Sequence, residues 1–98
     1  MTDMVWLQQW YLSNCGGEWE HQYGVHINTL DNPGWTVRIN LAGTRWEGLP
    51  AQTIERETSE TDWVHCSIAN NEFQGHGGPE NLDELIQIFR KLIDEAGK

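Results

Sequence analysis

The sequence predicts an α+β fold, an antiparallel β-meander of four to five strands with an N-terminal and a C-terminal helix packed on one face. Three observations predict this fold. Apolar residues recur at helical spacing near both ends of the 98-residue chain, they alternate with polar residues in between, and turn signals separate the alternating stretches. Helices before and after a run of strands are typical of a sheet covered on one side. At this length we expect residues 1–98 to form a single domain.

The first predicted helix covers residues 3–14. Its apolar side chains fall within about half of the helical circumference; they are Met4, Trp6, Leu7, Trp10 and Tyr11. Gly16 and Gly17 follow where a residue of positive φ commonly ends a helix. We expect Trp6, together with Trp19 and Trp35 further along the chain, to lie in the core with its indole N–H hydrogen-bonded, because a buried tryptophan usually finds an acceptor.

The last predicted helix covers residues 81–96 and has one apolar stripe, formed by Leu82, Leu85, Ile86, Phe89, Leu92, Ile93 and Ala96. Asn81 stands at the N-cap position, and Glu84 follows three residues later, as in a capping box. Gly97 stands where a glycine after a helix is expected. The stripe predicts that this helix packs on the core.

Alternation with a period of two predicts the strands. Residues 19–29 place Trp19, His21, Tyr23, Val25, Ile27 and Thr29 on one side, which indicates a half-buried strand. The turn signal Asp31-Asn32-Pro33-Gly34 follows, because proline fixes φ and glycine accepts a positive φ. Trp35, Val37, Ile39 and Leu41 then alternate with polar residues. Residues 19–41 are therefore predicted to form an antiparallel hairpin at the centre of the fold.

The remaining strands are shorter. A polar stretch over residues 52–59 predicts a third strand, and the alternation of Val64, Cys66 and Ile68 predicts a fourth. Asn70-Asn71 is expected to turn the chain into a fifth strand around Phe73. The glycine-rich residues 42–50 and 75–79 are predicted to be loops.

Charge limits the classes of partner. Fifteen acidic against six basic residues give a net charge of −9, which repels nucleic acid and anionic lipid, so we expect neither nucleic acid nor membrane as a partner. A basic protein surface, such as the nucleic-acid-facing side of a nuclease, is attracted instead. Surplus acid also keeps small proteins soluble, so charge alone leaves both interpretations open. The N-terminus lacks the features of a signal peptide, and a cytoplasmic location is expected.

Catalytic and metal chemistry find little support in the sequence. The cysteines, Cys15 and Cys66, are 51 positions apart and are expected to be free thiols, with Cys66 in the core. His21 and His26 lie five apart on one predicted strand and so point to opposite faces, which argues against a metal site. The glycine-rich residues 75–79 precede a helix but lack the ending of a P-loop. We therefore predict no cofactor, no metal and no enzymatic activity.

The outward face of the predicted sheet is the candidate binding surface. A polar face that carries many carboxylates and one exposed Trp combines an apolar anchor with charge, which is the pattern of a protein interface. The alternative is an ordinary solvated sheet face. Strand parity and local charge select the candidate residues, which are Glu20, His26, Glu55, Glu57, Glu60, Asp62, Trp63 and His65.

Several strings resemble the immunity protein 53 family of bacterial polymorphic toxin systems. They begin with Trp6-Leu7-Gln8-Gln9-Trp10-Tyr11, Cys15, Trp19-Glu20-His21 and Tyr23-Gly24, and continue with Thr29 through Trp35, which contains Asp31-Asn32-Pro33-Gly34, then Asn40-Leu41 and Gly43-Thr44. The resemblance resumes at Asp62-Trp63 and runs from Phe73 through Gly77-Gly78-Pro79 and Asn81-Leu82 into the last helix. Residues 45–60 carry none of it. The resemblance covers most of the chain.

This resemblance implies a small cytosolic protein that neutralises a cognate toxin domain by binding it, without catalysis or cofactor. Such toxins are often nucleases, and the net charge of −9 suits the masking of a basic active-site surface. We expect a monomer or a weak dimer. Two alternatives stay open at this point: a small thiol-dependent enzyme, for instance sulfurtransferase-like, and an interaction module with another partner.

Overall fold

A computed structural model describes residues 2–96, and this part of the chain contains three helices and five strands. In chain order they are α1 (Asp3–Asn14), α2 (Trp19–Gln22), β1 (Val25–Leu30), β2 (Gly34–Asn40), β3 (Gln52–Glu57), β4 (Trp63–Ala69), β5 (Glu72–Gly77) and α3 (Leu82–Ala96). The predicted α+β class, with one antiparallel sheet between an N-terminal and a C-terminal helix, is confirmed. Gly97, predicted to follow the last helix, lies outside the described residues.

The five strands form one open sheet in the order β1-β2-β5-β4-β3, and every neighbouring pair is antiparallel. Strands that are consecutive in the sequence are neighbours within two parts of the sheet, the hairpin β1–β2 and the meander β3–β4–β5. The two parts join through β5, which lies in the centre and pairs Trp35 with Gly77 and Asn40 with Glu72. As a result β1 and β3 are the two edges of the sheet.

The hairpin is confirmed, but its first strand is shorter than predicted. Residues Trp19–Gln22 form a helical turn, and β1 begins only at Val25. The alternation was misleading because Trp19 is buried against other aromatic rings, with its indole N–H donating to the carbonyl of Asn40 at 3.0 Å. Gly24, with φ of +83°, separates the turn from the strand, a backbone conformation that favours glycine.

The fifth strand is longer than predicted, and residues 75–77 are strand rather than loop. The inward positions of β5 are Phe73, Gly75 and Gly77, so the glycines continue the alternation of the buried side. A Cβ at Gly75 would lie 3.2–3.3 Å from the side chains of Phe73 and Leu85, and one at Gly77 would lie 3.1 Å from Asn81. Glycine is therefore needed here because α3 passes close over the strand.

The core lies between the sheet and α3. Leu85, Ile86, Phe89, Leu92 and Ile93 of the helix are buried, as the apolar stripe predicted. They face the buried sheet residues Val37, Ile39, Val64, Cys66, Ile68 and Phe73. Asn81 precedes the helix as expected, and its side-chain amide donates to Glu84 at 3.0 Å.

Helix α1 packs against α3 and completes the core. Leu7 and Trp10 are buried, whereas Met4 and Tyr11, predicted to face inward, are each 38% exposed. Trp6 and Trp35 are only partly buried at the margin of the core, and the Trp35 indole donates to the carbonyl of Pro79 at 3.0 Å. Of the three tryptophans predicted to lie in the core with a hydrogen-bonded indole, Trp19 therefore meets the prediction in full.

Candidate functional site

The outer face of the sheet, opposite α3, carries most of the predicted binding residues. Directly paired residues of antiparallel strands lie on the same face. Glu57 pairs with Trp63, and Glu55 pairs with His65. These four residues lie on the face opposite the buried side chains of β4, which are Val64, Cys66 and Ile68. His26 pairs with Arg38 on the same side. The parity prediction therefore placed His26, Glu55, Glu57, Trp63 and His65 on their common face correctly.

An open groove of about 760 Å³ lies at one end of this face and is called the acidic groove below. Its lining residues are Asn32, Glu57, Thr58, Ser59, Glu60, Trp63 and His65. The turn after β1, the end of β3 and the start of β4 lie at the same end of the sheet because β5 pairs with both β2 and β4. Four of the eight predicted binding residues thus converge on one concave surface.

Within the groove, a carboxylate, an imidazole and an indole are in contact. His65 Nε2 lies 2.8 Å from Glu57 Oε1, and the ring centroids of Trp63 and His65 are 5.4 Å apart in an edge-on arrangement. The Glu57 side chain is 72% exposed, and Glu60 is also exposed. The groove therefore presents negative charge beside a half-buried indole ring to any partner.

Asp62 is not among the residues that line the acidic groove, and it forms an ion pair within the chain. Arg56 Nη2 donates to Asp62 Oδ1 at 2.9 Å and to Glu84 Oε1 at 2.6 Å, and Asn81 Nδ2 donates to Asp62 Oδ1 at 2.9 Å. These hydrogen bonds, that from Arg56 first and that from Asn81 second, lower the pKa of Asp62. The carboxylate already has a cationic partner within the chain, and it links β3 to α3.

Glu20 also lies apart from the acidic groove, contrary to the strand prediction. It belongs to α2, and its carboxylate accepts hydrogen bonds from the backbone N–H groups of Gly16 at 2.9 Å and Gly17 at 2.8 Å. Bonds from its own backbone N–H and from those two glycines lower the pKa of Glu20. This carboxylate holds the turn between α1 and α2.

Asn32, Thr58 and Ser59 line the groove but were missed by sequence reasoning. They belong to turns, and parity assigns faces only within strands. The turn signal at Asn32 was recognised, but the position of β5 between β2 and β4 decides which turns become neighbours. His76 was missed for a related reason. It pairs with His65 across β4 and β5 on the outer face, although residues 75–79 were predicted to be loop.

Reactive chemistry is poorly supported by the described residues. Cys66 is 2% exposed, and burial, together with the charge of Glu84, raises the pKa of its thiol to about 12, so the thiol is protonated near neutral pH. Cys15 lies at the C-terminal end of α1. The backbone N–H of Gly78, in the glycine-rich stretch that was compared with a P-loop, donates to the carbonyl of Trp63 and is thus already bonded within the chain. Within residues 2–96, no three His, Cys, Asp or Glu side chains converge as a metal ion requires.

An acidic, open groove on the uncovered face of a small α+β domain is the kind of surface that receives another protein. The comparison with protein families agrees, because residues 4–94 match the family described as Immunity protein 53. The chain belongs to this family and is an immunity protein, a class whose members bind toxin proteins and are generally not enzymes. Comparisons with curated proteins and with solved structures find no significant match. No helix in the described part of the chain is long and apolar enough to span a bilayer.

Proposed function

We propose that this immunity protein neutralises its cognate toxin by direct binding, with the acidic groove seated on a basic active-site surface of the toxin. The observation that carries the proposal is the convergence of Glu57, Glu60, Trp63 and His65 on one concave surface of a family member. Glu55 and His26 extend the same face beyond the groove. The encounter takes place in the cytoplasm, where a toxin that acts on nucleic acid would meet its substrate.

Electrostatics favours a toxin of the nuclease class. Residues 55–62 contain four acids and one base, and that base, Arg56, is already paired with Asp62 and Glu84. Glu55, Glu57 and Glu60 are exposed. A cleft that binds a phosphate backbone is rich in Lys and Arg, so these carboxylates would occupy the positions of phosphates and exclude the substrate.

Trp63 supplies the apolar part of the interface. It is half-buried at the start of β4, which lies between β3 and β5, and its ring is in edge-on contact with His65. Tryptophan is enriched among residues that dominate binding energy because it buries a large area with few rotatable bonds. A cationic side chain of the toxin would find both an aromatic face and a carboxylate in the groove.

The test is charge reversal of Glu55, Glu57 and Glu60 to Lys, followed by co-expression with the cognate toxin. We expect growth rescue to be lost and the association rate with purified, catalytically inactive toxin to fall about tenfold or more. Circular dichroism shows whether the variant is folded.

The matched control reverses three exposed acids elsewhere on the chain, Glu47, Asp83 and Glu95, and so changes the net charge equally. We expect rescue to persist and the association rate to change much less. Equal loss in both variants would show that only overall charge matters. Unchanged rescue and binding in the groove variant would refute the acidic groove as the binding site.

A further inference from the structure

The edge strand β1 has no charged residue along its length. Its sequence is Val-His-Ile-Asn-Thr-Leu, and its four central residues are all exposed. The register with β2 is one-to-one from Val25 to Leu30, so no bulge twists the edge away. Natural proteins usually protect an exposed edge with charge, proline or a bulge, because its unpaired backbone groups are a template for another strand. The six residues of β1 contain none of these devices.

The backbone groups that β1 offers can be identified. The N–H of Asn40 donates to the carbonyl of Gly24, and hydrogen-bonded pairs alternate along an antiparallel ladder. His26, Asn28 and Leu30 therefore bond to β2, while the N–H and C=O groups of Val25, Ile27 and Thr29 point away from the sheet. Within the described residues no strand lies on that side. Three residues thus present six unpaired backbone groups in a row.

The opposite edge, β3, is built differently. Three of its six residues, Glu55, Arg56 and Glu57, are charged. Like charges brought together by pairing of two identical edges oppose association. The contrast indicates that pairing between copies is disfavoured at β3 and permitted at β1.

We propose that two copies of this chain associate through their β1 strands and form one continuous ten-stranded antiparallel sheet. A two-fold axis at Ile27 places Ile27 opposite Ile27 of the second copy, and Val25 opposite Thr29 of the second copy. All three residues then exchange N–H and C=O bonds across the axis. Ile27, which is 36% exposed, gains an apolar partner on the helix-bearing face. His26 and Asn28 meet on the other face, so no charged pair is formed.

The occupant is a second copy because this edge lets two acidic chains approach. With a net charge of −9, copies repel each other over most contacts. Pairing through β1 puts the two β3 strands at the far ends of the sheet, roughly 40 Å apart at about 4.8 Å per strand, well beyond a Debye length of about 8 Å. His26 is not among the residues that line the acidic groove, and the β3 side of each groove stays open, so this inference does not depend on the groove being the toxin-binding site.

The first experiment uses the protein alone. We measure sedimentation velocity and amide hydrogen exchange by NMR from about 10 µM to about 1 mM. We expect the mass to rise from that of one chain, 11.3 kDa, toward twice that value. Exchange should slow with concentration at Val25, Ile27 and Thr29, and remain unchanged at Thr53, Glu55 and Glu57 on the opposite edge. A single-chain mass throughout, or slowed exchange at β3 alone, would overturn the proposal.

A pair of variants provides the matched control. Ile27 and Ile54 lie on the same face at opposite edges and are 36% and 37% exposed. Ile27→Glu places two like charges at the two-fold axis, and we expect dimerisation to weaken roughly tenfold or more. Ile54→Glu introduces the same residue away from the axis and should leave dimerisation unchanged. If Ile27→Glu dimerises like the parent chain, β1 is not the interface.

Discussion

Phe89 connects the two helices to the sheet. Its ring is fully buried, with ring centroids 5.0 Å from Phe73 of β5, 5.0 Å from Trp10 and 5.9 Å from Trp6 of α1. Edge-on and tilted contacts of this kind add to the burial of apolar area. One side chain of α3 therefore contacts both α1 and β5.

Truncation of this ring should be costly. We expect Phe89→Ala to lower the free energy of unfolding by about 3–5 kcal/mol, because the cavity left by the missing ring would be lined by the three neighbouring aromatic rings and could collapse only partly. Chemical denaturation with urea measures the change. Gln87→Ala, an exposed position on the same helix, is the control and should change stability by less than about 0.5 kcal/mol. A loss below about 1 kcal/mol for Phe89→Ala would contradict the described packing.

The glycines of β5 show at the residue scale why part of the sequence was misread. Phe73, Gly75 and Gly77 continue the inward parity of a strand, yet a run of glycines is typical of a loop in the sequence alone. Their place in the sheet is decided by the close passage of Leu85 and Asn81 over them. That information is tertiary, so it could not be read locally.

At the scale of elements, the end of β3, the loop 58–62 and the start of α3 are held together by one polar network. Arg56 is at its centre and pairs with Asp62 and Glu84, while Asn81 donates to both carboxylates and accepts from the backbone N–H of Trp63 at 3.3 Å. The loop forms one wall of the acidic groove. The network therefore positions Trp63 and the loop that carries Glu60.

The lowered pKa of Asp62 predicts a pH dependence of stability. A carboxylate whose pKa is lower in the folded than in the unfolded state stabilises the fold above the ordinary aspartate pKa, and this contribution is lost as the pH falls through the folded value. We expect Asp62→Asn to be less stable than the parent chain at pH 7. The difference should vanish in acid. Urea denaturation across pH tests this, and an equal difference at all pH values would show that charge is not involved.

Regular elements were predicted well where the local pattern and the tertiary contacts agree. The stripe of α3 and the alternation of β2 and β4 each bury the side that the pattern indicates. The pattern failed at Trp19–Gln22, where an aromatic cluster with Trp10 and Tyr11 buries one side of a helical turn instead of a strand. Four residues are too few for either period to be distinguished.

For the whole molecule, the acidic charge predicts how toxin binding responds to salt. Association steered by opposite charges slows as the Debye length shrinks from about 10 Å at 0.1 M to about 3 Å at 1 M. We expect the association rate to fall steeply with salt and the dissociation rate to change little. Stopped-flow or surface-based kinetics at several salt concentrations would measure both.

The variant with Glu55, Glu57 and Glu60 changed to Lys gives the comparison. Its association rate should depend much less on salt than that of the parent chain, because the steering charges have been reversed. If both proteins respond alike, the steering field arises elsewhere on the molecule and the groove contributes only contacts.

The face that carries the candidate site was predictable from strand parity, whereas the concave shape of the site depends on the order of the strands in the sheet.

The central position of β5 has a consequence for synthesis. As the chain emerges from the ribosome, β1–β2 and β3–β4 can pair locally, but residues 35–40 find their other neighbour only when residues 72–77 have appeared. Helix α3, which supplies one side of the core, follows last of all. The β2–β5 pairs are thus the most distant along the chain of all the strand pairings, and distant contacts form slowly. We therefore expect the sheet and its core to be complete only after α3 has been translated.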